Sequence, residues 1–214
     1  MSINKKLTKG VILFKDNYNL EKTLVECSQF LGVSKGDNTF FATKTIKSNL
    51  LDEYLQIKEF ILSRTANGFI KKSDGGQEVL ISYPLKALDE GIINALAHRN
   101  YFINGSQIEI NLFKDRLEII SPGSLLNSPY LNKEKDLASI PPIRRNEVIC
   151  NIFTILKLME KKGSRFDKIE EEYSRYDKAY SPYVSSSSSY FSLTLPDLSF
   201  KGGVVNSNIA PKNI

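Results

Sequence analysis

The chain is poor in the residues that most often carry metal and redox chemistry. It has two cysteines, Cys27 and Cys150, and one histidine, His98, in 214 residues. The cysteines stand far apart and form no C-x-x-C pair, so neither a disulfide framework nor a thiolate metal site is indicated. A single histidine argues against a zinc site. Long apolar runs are also missing: no stretch approaches the roughly 20 residues that a membrane span needs. Within the first 25 residues the only apolar run is Val11 to Phe14, too short for a signal-peptide core. A cytoplasmic protein without membrane contact is expected. Neither sign of charge dominates. Lys and Arg total 29 against 24 Asp and Glu, for a net charge of +5, which permits contact with nucleic acid without demanding it. The nucleotide-binding strings G-x-x-x-x-G-K-[ST] and G-x-G-x-x-G are absent, and no local signature marks a Ser-His or Cys-His nucleophile.

What is present reads as a folded protein. With 41% hydrophobic and 25% charged residues, the composition lies near globular averages, which excludes wholesale disorder and fibrous architecture. The length provides core for one substantial domain or two small ones. Val25 to Gly32 and Thr39 to Thr45 are short β-prone runs separated by Gly36-Asp37-Asn38. From Ser48, the expected N-cap, Leu50, Leu51, Tyr54, Leu55, Ile57, Ile61 and Leu62 recur at helical spacing until Asn67-Gly68. Phe69 to Lys71 and Glu78 to Tyr83 flank Ser73-Asp74-Gly75-Gly76 as a hairpin.

Pro84 opens a second helix at a position where its missing N–H costs little, and Leu85, Leu88, Ile92, Ala95 and Leu96 form its apolar stripe. The run Ser106 to Gly123 alternates as two strands about Lys114-Asp115, placing Ile108, Ile110 and Leu112 opposite Leu117 and Ile119. Gly123 to Pro142 reads as irregular, and a connection of that length within a domain is commonly a lid or binding loop. Helical spacing returns from Arg145 to Gly163 and again from Asp167 to Tyr176. The serine run Ser185 to Ser189 leads into a last strand, Tyr190 to Leu195, and a tail expected to be disordered follows. Strands and helices do not alternate strictly, so an α+β sandwich with antiparallel hairpins is expected instead of a doubly wound parallel sheet.

On the second helix Glu90, Asn94 and His98 are spaced four and four and share one stripe. A carboxylate can orient or deprotonate water, and an amide oxygen is a hard donor suited to Mg²⁺. The same spacing also describes a solvated helix face, and His98 alone reads as a helix-end histidine near the C-terminal dipole. Ser121-Pro122-Gly123-Ser124 and Gly163-Ser164-Arg165 are turns that let backbone approach a phosphate or simply cap their elements. Arg144, Arg145 and Arg165 either meet phosphates of a nucleotide or of DNA, or lie solvated at helix ends.

Together these strings resemble a family. Tyr83 to Leu125 contains a Y-P opening, E-x-x-x-N, His98-Arg99-Asn100-Tyr101 and a hairpin running Asp115-Arg116-Leu117-Glu118-Ile119 into Ser121-Pro122-Gly123. Arg145-Asn146, Gly163-Ser164-Arg165-Phe166 and Tyr190 to Pro196 follow in order. The pattern is similar to that of bacterial ATP-binding proteins labelled transcriptional regulators or RecG-like helicase C-terminal domains, which usually follow a Schlafen AlbA-type domain.

The resemblance implies a divergent histidine-kinase and gyrase type (GHKL, Bergerat) ATPase domain, a two-layer α/β sandwich, over residues 81–198. Residues 1–80 are then a lead-in related to the Schlafen-type domain or its linker, and residues 199–214 the tail. It implies Glu90 as the catalytic carboxylate, Asn94 as the Mg²⁺ ligand, and Asn94, His98, Ser121, Gly123, Gly163 and Arg165 around ATP. Serine stands where the family has the asparagine of N-P-G, and Arg165 stands where the family has the second glycine of G-x-G. Weak or absent hydrolysis is therefore expected. The alternative is a degenerate, non-catalytic module for DNA contact or protein association in transcriptional control, including pairing into a homodimer, and it implies an occluded nucleotide cleft.

Overall fold

The computed structural model describes residues 2–3, 6–7, 9–16, 23–37, 40–71, 73–126, 130–141, 143–160 and 166–200. The first elements are short: β1 (Ser2–Ile3) and β2 (Lys6–Leu7) pair with each other, and α1 (Lys9–Ile12) leads on. Then come β3 (Leu24–Phe30), β4 (Phe40–Lys47), α2 (Leu50–Leu62), β5 (Asn67–Lys71), β6 (Gln77–Ile81) and α3 (Leu85–His98). The remainder comprises β7 (Ile108–Leu112), β8 (Arg116–Pro122), β9 (Leu131–Glu134), α4 (Glu147–Ile155), α5 (Asp167–Tyr173), β10 (Tyr183–Ser186) and β11 (Tyr190–Pro196).

Seven strands form one sheet in the order β4-β3-β7-β8-β11-β10-β9, and β5 and β6 form a separate hairpin. Every neighbouring pair in the large sheet is antiparallel except β3 with β7. The expected mainly antiparallel sheet covered by helices is the observed architecture. Ile110 faces Ile119 and Leu112 faces Leu117, as the alternation predicts. Across the sheet Val25, Cys27, Ile108, Ile110, Leu117, Ile119, Leu193 and Leu195 are buried on one face, against α2 and α3. Removing that apolar surface from water is the main source of stability. The other face carries Glu26, Ser28, Glu109, Glu118 and Ser192, all partly exposed.

Helix α3 lies directly on the sheet. A Cβ at Gly91 would come within 2.9 Å of Leu193 Cδ2 and 3.1 Å of Ile119 Cδ1, so the glycine permits the close approach. From Gly91 to Ala97 every residue of α3 is buried, because α2, α4 and α5 pack around it as well. Leu85, read as part of the apolar stripe, is instead exposed at the helix start.

Other boundaries shift for identifiable reasons. The N-cap of α2 is Asn49, not Ser48: the Asn49 side chain accepts from the backbone N–H groups of Leu51 and Asp52 at 3.1 and 3.0 Å. Helix α4 starts two residues after Arg145 and ends at Ile155. Beyond it Lys157 adopts a φ of 60°, and Leu158 and Met159 both donate to the Phe153 carbonyl, closing the helix well before Gly163. Within the stretch expected to be irregular, β9 and a 3-10 turn at Leu137–Ser139 form. The serine run begins inside a strand, β10, where Val184 and Ser186 face inward. The tail, 201–214, lies outside the described residues.

Candidate functional site

The α3 stripe turns its chemistry toward the end of β8. Asn94, 5% exposed, donates from Nδ2 to Glu90 Oε1 at 3.0 Å, one turn back along the helix. Burial pushes the Glu90 carboxyl up to about 7, partly opposed by the ammonium of Lys168, which lies 4.0 Å from Oε2. Lys168, on α5, also pairs with Glu160 at 3.0 Å. A carboxyl half protonated near neutral pH, held by an amide and faced by an ammonium, is suited to proton transfer. His98 ends the helix, and its Nδ1 accepts from the backbone N–H of Arg145 at 3.4 Å.

Opposite the helix, Ser121 donates its hydroxyl to the Ala95 carbonyl at 3.1 Å, tying β8 to α3. Gly123 follows with a φ of +100°, a conformation that L side chains rarely adopt. Its N–H donates to the Ser189 carbonyl at 2.8 Å. Arg145 approaches from the segment before α4. Its Nη2 donates to the Ser124 carbonyl, and a Cβ at Gly123 would lie 2.2 Å from its Nη1, so the guanidinium rests on bare glycine backbone. The next residue fixes this placement: Asn146 Nδ2 donates to the Ala97 and Arg99 carbonyls at 2.9 and 2.7 Å, capping the end of α3.

Asn94, His98, Ser121, Gly123 and Arg145 thus line one cavity, closed on the far side by the stacked rings of Phe166 and Phe191. Glu90 lies just beyond it, reached through Asn94. The enclosed space is about 20 Å³, room for one water molecule. The space between the α3 stripe and the loop after Gly123 is therefore largely filled by side chains. Gly163 and Arg165 lie outside the described residues. Two larger hollows, about 530 and 230 Å³, lie on the open sheet face and share Lys35, Gln107 and Glu109, away from the stripe.

Ser124 and Phe166, each at the end of a Gly-containing motif read from the sequence, also belong to this neighbourhood. Phe191 and Lys168 were not expected there: Phe191 reads only as part of the last strand, and Lys168 sits in a helix that reads only as charged.

The donor set contains the oxygen types that Mg²⁺ favours, the Asn94 amide and the Glu90 carboxylate, alongside Ser121 and Arg145 as donors to phosphate oxygens. It fits a magnesium–phosphate group in kind. In volume it does not hold a nucleotide without displacement of Arg145. Among the described residues no cluster of three or more His, Cys, Asp or Glu could hold a metal, and no helix is long and apolar enough to cross a membrane.

The fold is thus a mainly antiparallel sheet with helices on one face and a small cavity beside the helix that carries Glu90 and Asn94. Residues 105–195 match the family model described as "Putative ATP-dependent DNA helicase recG C-terminal", the kind of domain that the motifs resemble. The match begins after His98, so Glu90 and Asn94 lie outside it. Among solved structures, the DIP2311 protein from Corynebacterium diphtheriae shares the fold, with a TM-score of 0.73 over 89% of this chain at 16% identity. The chain spans 37% of that protein's length. No curated protein matches the chain.

Proposed function

We propose that the chain is a nucleotide-binding domain that takes ATP with Mg²⁺ in the cleft between α3 and the Gly123 turn, with weak or absent hydrolysis. The observation that carries this reading is the convergence of Asn94, His98, Ser121, Gly123 and Arg145 on one cavity, from three segments far apart in sequence: α3, the end of β8 and the stretch before α4. Asn94 would hold the metal through its amide oxygen. Bound Mg²⁺ would neutralise phosphate charge, and Glu90 would orient or accept a proton from water at its carboxylate. Catalytic weakness is in keeping with Glu90 sitting behind Asn94 and with Arg165 in place of a glycine. Isothermal titration with ATP and Mg²⁺ tests the reading. Binding that is lost in Asn94→Ala supports it, and no binding at millimolar nucleotide contradicts it.

The cavity's small volume favours a second reading, a degenerate module for DNA contact or protein association in a transcriptional regulator. It predicts retardation of DNA at physiological salt, or a dimer by light scattering, in protein that binds no nucleotide. Under either reading a cytoplasmic setting accords with two buried cysteines that form no disulfide.

A further inference from the structure

We propose that Arg145 selects ligands for a phosphate end: its guanidinium fills the empty cleft over Gly123 and passes from the Ser124 carbonyl to the phosphate oxygens of an incoming nucleotide. This rests on the cleft being the nucleotide site and names the group that reads the ligand's charge. Arg116 pairs with Asp115 and Glu118, and Arg175 pairs with Glu171 and Glu172. Among the described residues no carboxylate lies within ion-pair distance of Arg145, whose side-chain bond runs to one carbonyl oxygen. A guanidinium has five N–H donors in a planar fork that matches two oxygens of a phosphate at once, so a single carbonyl leaves most of that capacity unused.

Arg145 is half-buried, and that burial disfavours its charged form, with no acid among the described residues opposing it. Gly123 has no side chain to keep the cation away, and the polar groups of Asn94, His98 and Ser121 face the same space. The base of the side chain is fixed, through Arg145 N–H to His98 and through the Asn146 clamp on α3. Only the guanidinium end needs to move, and its departure from Gly123 opens the volume that a phosphate requires.

Titration of ATP, AMP, adenosine and inorganic tripolyphosphate into wild type, Arg145→Gln and Arg145→Lys tests this, with thermal melts showing that each variant folds. Loss of charge-assisted hydrogen bonds should weaken ATP and tripolyphosphate about 10- to 100-fold in Arg145→Gln, less in Arg145→Lys, and leave adenosine unchanged. ATP affinity in Arg145→Gln equal to or tighter than wild type overturns the role of Arg145 while leaving nucleotide binding intact. Arg145-dependent capture of tripolyphosphate by wild type that binds no ATP supports the anion site and overturns the nucleotide reading. No binding of either anion overturns both.

Discussion

Two glutamates on neighbouring helices, Glu53 fully buried and Glu90 half-buried, meet opposite fates. Glu53 on α2 is fully buried, and burial pushes its carboxyl up to about 8, opposed in part by a hydrogen bond with Thr23 and by the guanidinium of Arg99. Arg99, itself 1% exposed, donates to the Leu24 and Ser106 carbonyls, so this acid and base lie sealed where α2, the start of β3 and the loop after α3 meet. Glu90 on α3 has a carboxyl raised nearly as far, to about 7, by the same cause. Yet Glu90 is bonded to Asn94, faced by Lys168 and adjacent to a polar cavity, whereas Glu53 lines none of the three hollows. A displaced proton affinity therefore does not locate chemistry by itself; the groups around it and the access to a ligand do. Volume fails as a guide too, since the two larger hollows described lie on the open face, away from the α3 stripe.

The contrast can be broken by substitution. The largest effect is expected at Asn94: Asn94→Ala should weaken ATP binding with Mg²⁺ about 100-fold or more, through loss of a metal and hydrogen-bond donor set, as read by calorimetry. Glu53→Gln should leave that affinity alone. Next, Glu90→Gln should reduce any hydrolysis about 100-fold in a phosphate-release assay while changing ATP affinity less than about threefold. Wild-type hydrolysis should rise with pH through about 7, because only the deprotonated carboxylate accepts a proton.

A smaller effect, on stability, belongs to Glu53. Folding holds a proton there that the unfolded chain releases near 4.5, so this group's contribution is full below about 4.5 and falls as pH rises toward 8. Glu53→Gln removes that dependence and should be more stable than wild type at pH 8.5, with the advantage gone at pH 4.5. Urea denaturation at the two pH values reads it, and equal pH slopes for both proteins would show that folding leaves the proton affinity of Glu53 unchanged. The smallest change is Ser121→Ala, which deletes the 3.1 Å bond to the Ala95 carbonyl and should cost about 1 kcal/mol in the same assay.

Local order explains how much of this was legible. The register of β7 with β8 follows from strict alternation across a short turn, and α2 and α3 follow from helical periodicity. The parallel pairing of β3 with β7 does not, because no local pattern encodes which distant strands adjoin. Strand β10 is hidden by serines, whose low strand preference conceals a two-sided pairing with β9 and β11. In the site, the stripe of Glu90, Asn94 and His98 and the Gly123 turn were readable from spacing and motif. That Arg145 lies on Gly123, and that Phe166 and Phe191 close the cavity, depends on contacts made only when α3, β8 and the segment before α4 come together.

The most direct measurement is a crystal structure with magnesium and a non-hydrolysable ATP analogue at millimolar concentration. The account predicts phosphate density beside Asn94 and Ser121, with the Arg145 guanidinium turned from the Ser124 carbonyl to a phosphate oxygen. A cleft still closed, with Arg145 on Gly123 and no density for the analogue, would contradict it.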